Sequence, residues 1–311
     1  MNKFKGFLFG MTASSAFGLL PLFTLPIMSE GLTTNSILCY RMLFASALVA
    51  VLMQVRKIAF RTNLKELLWF AFLGFFYYGS ASLLFQAYGT MSSGMATTLH
   101  FLYPVGVTLI MALVFKQRPS PFTILAIILG LSGVALLSLR ESGGSSSASL
   151  VGILLVLLSG LSYAAYLVTM NNVRRVRESN NLKLTLYVLI FSALFFLLDT
   201  SLSGGLQIIP SGRALTNLLL LAFLPTLVSN LALVRAVKSI GSTLTSVLGA
   251  MEPLTAIVIG VVVFGEEVTG PMALGILLIL LSVTIIVLSP LLDKNIADRL
   301  RRLSKRPIRR Q

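Results

Sequence analysis

Acidic residues are scarce in this chain. Only 10 of its 311 residues are Asp or Glu, and charged residues of both signs make up 11%. A soluble domain carries about 25% charge, so a large soluble core is excluded. With 56% hydrophobic residues and a mean hydropathy of +0.91, the chain reads as an integral membrane protein. Cysteine occurs once, at Cys39 inside an apolar run, which excludes a disulfide framework and a cysteine-based metal site. Histidine also occurs once, at His100, which excludes a histidine-rich metal centre. No glycine-rich dinucleotide loop, phosphate loop or nucleophile elbow is present, so neither a cofactor nor a metal is expected.

What is abundant is positive charge. The net charge of +15 would suggest nucleic acid in a soluble protein. Here the Lys and Arg residues form short clusters between apolar runs, which is how cytoplasmic loops of membrane proteins are marked, and nucleic-acid binding is not expected. The N-terminus, MNKFKGFLFGMTASSAFGLLPLF, imitates a signal peptide. Its apolar stretch continues to about Met28 and more spans follow, so it reads as an uncleaved first helix.

Windows of about 20 apolar residues predict ten transmembrane helices. They fall near 4–28, 34–55, 66–89, 93–115, 120–139, 150–170, 183–200, 213–236, 240–264 and 270–291. An even number puts both ends on one side. All 25 Lys and Arg except Arg41, Arg140 and Arg213 fall at the N-terminus, in alternate loops or in the tail, all on that side. The positive-inside rule therefore predicts both termini in the cytoplasm, with the protein in the cell (inner) membrane. The basic tail, 292–311, is partly amphipathic and suits contact with anionic membrane lipid, with a regulatory partner as the alternative.

RESGGSSSAS, Arg140 to Ser149, is a Gly/Ser-rich connector near the middle of the chain. It divides the chain into a first repeat, 4–139, and a second, 150–291. The halves match without gaps at an offset of 149: Leu84 falls on Leu233, Pro104 on Pro253, Ile110 on Ile259, and Val114-Phe115 on Val263-Phe264. Five helices is an odd number, so the second repeat enters the membrane inverted relative to the first. Inverted repeats permit alternating access, the two halves rocking about a site between them near the midplane. The fold expected is thus an all-α membrane protein of two inverted five-helix repeats.

The residue that demands explanation is Glu252, followed at once by Pro253 inside the ninth span. A carboxylate at that depth costs several kcal/mol to charge, so it belongs in the bundle interior, paired or carrying its proton. It reads either as a site for a proton or a substrate amine, or as a structural partner for backbone freed by Pro253. Ser242, Thr245, Gly249, Glu252 and Ala256 form one small, polar helical stripe. The equivalent stripe in the fourth span is Ser93, Ala96, His100, Tyr103 and Val107, so His100, Tyr103 and Glu252 are expected to meet at pseudo-symmetric positions. His100 reads as a second proton group, a donor to substrate or an interhelical structural contact. Arg41, inside the second span, reads as a carboxylate partner or a link to a neighbouring helix. Tyr77, Tyr78, Ser82 and Gln86 lie along the third span, with Tyr78, Ser82 and Gln86 on one face. Together with Tyr163, Tyr166 and Asn230 they are candidates to line a cavity for an amphipathic ligand. Pro21 and Pro26 are expected to kink or end the first helix.

These same residues carry a family resemblance. The run GAMEPLTAIVIGVVVFGEEVTGPMALGILLILLSVTIIVL resembles the second repeat of EamA-type transporters of the drug/metabolite transporter superfamily. The telling residues are Glu252-Pro253, Phe264-Gly265-Glu266, Thr269 and Gly275, with Gly6, Arg41 and Pro104 in the first repeat. The chain departs from the pattern at Phe115-Lys116-Gln117-Arg118, where members often carry Gly-Glu, and at Ala126, where Gly is common. The resemblance implies a ten-helix bundle that exports or exchanges small metabolites or drugs, amino acids among them, and is not an enzyme. The alternatives are a membrane enzyme acting on a lipid-soluble substrate and a non-transporting membrane partner.

Overall fold

The helices break where the sequence supplies proline or glycine. The computed structural model describes residues 3–88, 90, 96, 99–117, 119–138, 150–264, 270, 271, 273–286 and 288. The connector 140–149 and the tail 292–311 lie outside them, as do Glu266 and Thr269. In the first half α1 spans Lys3–Phe17, α2 Leu20–Ser29, α3 Thr34–Val55, α4 Leu64–Tyr88, α5 Tyr103–Leu113 and α6 Pro121–Ser138. In the second, α7 spans Leu150–Asn172, α8 Arg174–Glu178, α9 Asn181–Leu202 and α10 Gly212–Leu221. A π-helical turn follows over Ala222–Val228, then α11 Ser229–Ile240, α12 Ser242–Leu248, α13 Met251–Phe264 and α14 Ala273–Ile286.

Six stretches are long and apolar enough to cross a membrane: Lys3–Ser29, Thr34–Val55, Leu64–Ala87, Leu150–Asn172, Asn181–Leu202 and Gly212–Ile240. The other predicted spans coincide with shorter or interrupted helices. The first predicted span is two helices, because Pro21 has no N–H to continue the ladder of α1. The predicted span 240–264 is divided at Gly249-Ala250, just before Glu252, and in the predicted span 93–115 a turn at Phe101-Leu102 precedes Tyr103 and Pro104. The two breaks fall within one residue of each other at the offset of 149. The sequence shows no separate signal for the π-helical turn inside 213–236. Pro225 explains it: the missing N–H and the ring's bulk widen the helix there. Thr226 Oγ1 donates to the Leu221 carbonyl at 2.9 Å, satisfying an oxygen in the disturbed ladder.

Packing follows a reciprocal scheme. α1 of the first repeat lies on α11 of the second, and α7 of the second lies on α4 of the first. α3 packs against its own counterpart, α9. α5 packs on α7, and its counterpart α13 packs on α1. Such swapped pairs are what a two-fold relation between the repeats requires. The large buried cluster joins both halves, from Phe7 and Met42 through Tyr103 and Phe196 to Leu248.

A second cluster, with Phe23, Ile27, Ile37, Leu218 and Leu221, seals the end of the bundle at the start of α3. Hydrogen bonds clasp the same end. The Thr33 N–H donates to Gln207 Oε1, the Gln207 N–H donates to Ser36 Oγ, the Tyr40 hydroxyl donates to the Gln207 carbonyl, and the Ser211 hydroxyl donates to Glu30. The first repeat's entry into α3 is thereby tied to the loop before α10.

Candidate functional site

The site begins with the break in the ninth predicted span. Glu252 opens α13 and its carboxylate lines a central cavity between the repeats. From the first repeat the wall receives Ala13, Ser14 and Phe17 of α1, Tyr77 of α4 and Tyr103 of α5. From the second it receives Tyr163 and Leu167 of α7, Ser229, Asn230 and Leu233 of α11, and Thr245 of α12. The free volume is about 20 Å³. One water needs about 10–15 Å³ on this measure, so a water fits and an organic solute does not.

Close backbone approach holds this wall together. A Cβ on Gly18 would lie 2.4 Å from the Glu252 carbonyl oxygen, so the α1–α2 break crosses the start of α13 directly. Gly249 lies directly under the Tyr103 hydroxyl. Tyr103 itself is buried, its ring T-shaped against Tyr163 at 4.8 Å and against Phe101 at 5.5 Å. Tyr163 continues to Tyr166, which lies 5.4 Å from Tyr77. The four tyrosines make a continuous aromatic wall, each pair contributing about 0.5–1.5 kcal/mol beyond its burial.

Asn230 Nδ2 donates to the Thr226 carbonyl at 2.8 Å and lies 3.2 Å from the Tyr77 hydroxyl. The Ser229 hydroxyl donates to the Ala13 carbonyl at 2.8 Å. The π-helical turn thus serves the site. Its carbonyl at Thr226 orients Asn230, and Thr226 Oγ1 accepts from Arg41 Nε at 2.6 Å.

Arg41 is 3% exposed, with its guanidinium over the Phe17 ring at 5.1 Å. Nη2 is buried with no hydrogen-bond partner among the described residues. Arg41 and Glu252 lie within electrostatic reach of one another, yet no ion pair or hydrogen bond joins them. Two opposite charges therefore border one interior region without neutralising each other by direct contact.

Of the candidates read from the sequence, Glu252, Tyr103, Tyr163, Thr245 and Asn230 line the cavity, and Arg41 sits beside it. His100 does not line it. Its Nδ1 is 3.0 Å from Ser159 Oγ, and the single Ser159 proton goes to the Ser80 carbonyl. Nδ1–H must then be the donor to Ser159, which ties His100 into the α4–α7 contact behind the tyrosines. Tyr78 turns to α9, packing on Phe195 and Phe196, and Gln86 donates to Ser82 along the same face. The cavity takes Tyr77, one residue earlier, instead. Pro104 and Pro253 sit at the starts of α5 and α13, at the two helix breaks. Ser14, Phe17 and Ser229 carried no signal in the sequence. Only the crossing of α1 over α11 brings them to the site.

A broken helix presenting a carboxylate between two matching halves is the feature to compare with known proteins. The profile of the EamA-like transporter family matches residues 4–139 and 150–288. The chain belongs to the EamA-like transporter family. Its two matched segments correspond to the two halves that share the cavity. No curated protein matches the chain. Among solved structures, one described only as a crystal structure of a protein superposes with a TM-score of 0.79 at 20% identity, covering 94% of this chain and 98% of that one. At that identity the likeness shows the fold. As a member of the family the chain is a multi-pass membrane transporter by descent. Among the described residues no group of three or more His, Cys, Asp or Glu could hold a metal.

Proposed function

We propose that this protein is a secondary carrier that moves a small zwitterionic solute of the amino-acid kind by alternating access through the cavity at Glu252. The reading includes ten spans in two inverted repeats, both termini in the cytoplasm, the cell (inner) membrane as location and export or exchange as the direction. The observation that carries it is the unpaired juxtaposition of Arg41 and Glu252 beside one inter-repeat cavity. A solute carboxylate satisfies the free Arg41 Nη2, and a solute ammonium satisfies Glu252. Each is a charge-assisted hydrogen bond contributing about 1.5–3 kcal/mol. The aromatic wall of Tyr77, Tyr103, Tyr163 and Tyr166 suits an amphipathic side chain. The cavity is closed at about 20 Å³, so a solute reaches it only when the halves separate.

Glu252 also supplies a route for coupling to protons. A carboxylate enclosed by tyrosines and apolar helices is costly to leave charged and unpaired. It takes a proton when the solute leaves and releases it when an ammonium arrives. In proteoliposomes the wild type is expected to accelerate solute uptake when a pH gradient is imposed. Glu252→Gln, which keeps the shape and removes the titration, is expected to retain exchange and lose the response to the gradient. An unchanged response in Glu252→Gln would end the coupling assignment.

A further inference from the structure

A second polar cavity lies at the end of the bundle that bears the basic loops. Its volume is about 210 Å³, ten times that of the central one. Thr108, Ser120, Thr123, Asn171, Ser242 and Thr243 contribute polar groups to its wall. No carboxylate lines it. It is the outward continuation of the central site along four helices. α5 contributes Tyr103 to the central cavity and Thr108 and Met111 to the outer one, and α7 contributes Leu167 and then Asn171. α11 contributes Leu233 and then Ile240, while α12 contributes Thr245 to the centre and Ser242 to the vestibule.

Two independent features give this vestibule a preference. The 18-residue α6 begins at Pro121, and Ser120 and Thr123 at its N-terminus line the cavity, so the positive end of that helix dipole faces it. Ser120 Oγ already accepts from the Thr123 N–H at 3.2 Å, which marks the helix start. Ser242 is fully buried, and its hydroxyl is one of three buried side-chain atoms without a hydrogen-bond partner among the described residues. Asn171 brings its amide nitrogen beside Gly241, next to that hydroxyl in the chain. A buried hydroxyl without a partner costs about 1–3 kcal/mol relative to a satisfied one. An oxyanion removes that cost, accepting from Ser242 and Asn171 while facing the helix N-terminus.

We propose that this vestibule is a second, anion-selective binding site that receives the carboxylate end of the solute before it reaches the central cavity. The proposal rests on the transport reading for its place on the route, and on the local chemistry for its selectivity. The two parts are tested separately.

Cys39 is the only cysteine and is buried, so Cys39→Ser provides a background without a reactive thiol, with Cys39→Ala as the second choice. Into it goes Thr243→Cys in the vestibule, with Ser120→Cys as an independent second position. Gln54→Cys is the control, at the exposed end of α3 beside Arg56 and Lys57, where the basic surface acts alone. The purified variants in lipid nanodiscs are reacted with two methanethiosulfonates, one bearing a sulfonate and one a trimethylammonium group. The sulfonate-to-ammonium rate ratio in the vestibule is expected to exceed the control by about tenfold. Adding Ser242→Ala and Asn171→Ala is expected to reduce that excess by about threefold or more. A ratio equal to the control, a ratio unmoved by the alanines, or no reaction at either vestibule position would overturn the site. Modification at Thr243→Cys is then expected to block solute flux in sealed vesicles. A selective site whose modification leaves flux intact would remove it from the route. Absence of flux in the unmodified protein would count against transport alone, because the labelling rates need none.

Discussion

Gly249→Ala is expected to inactivate the protein and to destabilise it. The new Cβ would fall 1.6 Å from the Tyr103 hydroxyl and 2.8 Å from the Ser246 carbonyl oxygen. A side-chain terminus can normally swing away from such a clash. Tyr103 is held by Tyr163 at 4.8 Å, Phe101 at 5.5 Å and His100 at 5.7 Å, and is only 5% exposed. The strain therefore passes to the helix break before Glu252, the element that aims the carboxylate. Overpacking of this kind costs about 1–3 kcal/mol, and here it acts on the site directly. Tyr103→Phe removes the clashing oxygen, and alone it is expected to be mild, since that hydroxyl faces the cavity. The double variant Gly249→Ala with Tyr103→Phe is expected to recover at least half the lost thermal stability. Thermal unfolding in detergent reads the coupling. Purely additive losses would show that the glycine is not required by its contact with Tyr103.

Arg41→Met is expected to leave the protein folded and to weaken solute binding by about 100-fold, the loss of one charged hydrogen-bond partner. Replacing a buried charge by an apolar side chain of similar length is often neutral for stability, whereas leaving a charge without its partner is not. Arg41 contributes one hydrogen bond, to Thr226, and a stacking contact with Phe17. Thr226 keeps its own bond to the Leu221 carbonyl after the substitution. The melting temperature should therefore move little while affinity collapses, as read by calorimetry with an amino-acid panel. A collapse of the melting temperature with retained affinity in the surviving folded fraction would make Arg41 a structural link between α3 and the π-helical turn.

Much of this architecture is legible in the chain because two signals are strong. Long apolar runs mark helices, and the ungapped offset of 149 places Tyr103 opposite Glu252, both of which line one cavity. What escapes the sequence is which neighbour each helix face meets. Periodicity puts Tyr78, Ser82 and Gln86 on one stripe, but nothing local says that the stripe turns to Phe195 and Phe196 while Tyr77 faces the centre. His100 shares a stripe with Tyr103, yet Ser159, nearly 60 residues away, claims its ring. The π-helical turn at Pro225 is invisible to a hydropathy window, because it changes the hydrogen-bond ladder and leaves the composition apolar. The partners of Arg41 depend on that turn, so its surroundings could not be read either. Prolines alone were informative about breaks: Pro21, Pro104 and Pro253 each stand within two residues of a helix start.

Trans-stimulated exchange in sealed proteoliposomes tests the central claim most directly. Vesicles are loaded with an unlabelled amino acid, and uptake of its labelled form is followed with no net gradient of solute. A carrier whose two halves rock about the Glu252 cavity returns faster when loaded, so internal solute accelerates external uptake. The account predicts such acceleration in the wild type and its loss in Gly249→Ala. An amino acid that binds the purified protein but shows no exchange above protein-free vesicles would contradict it.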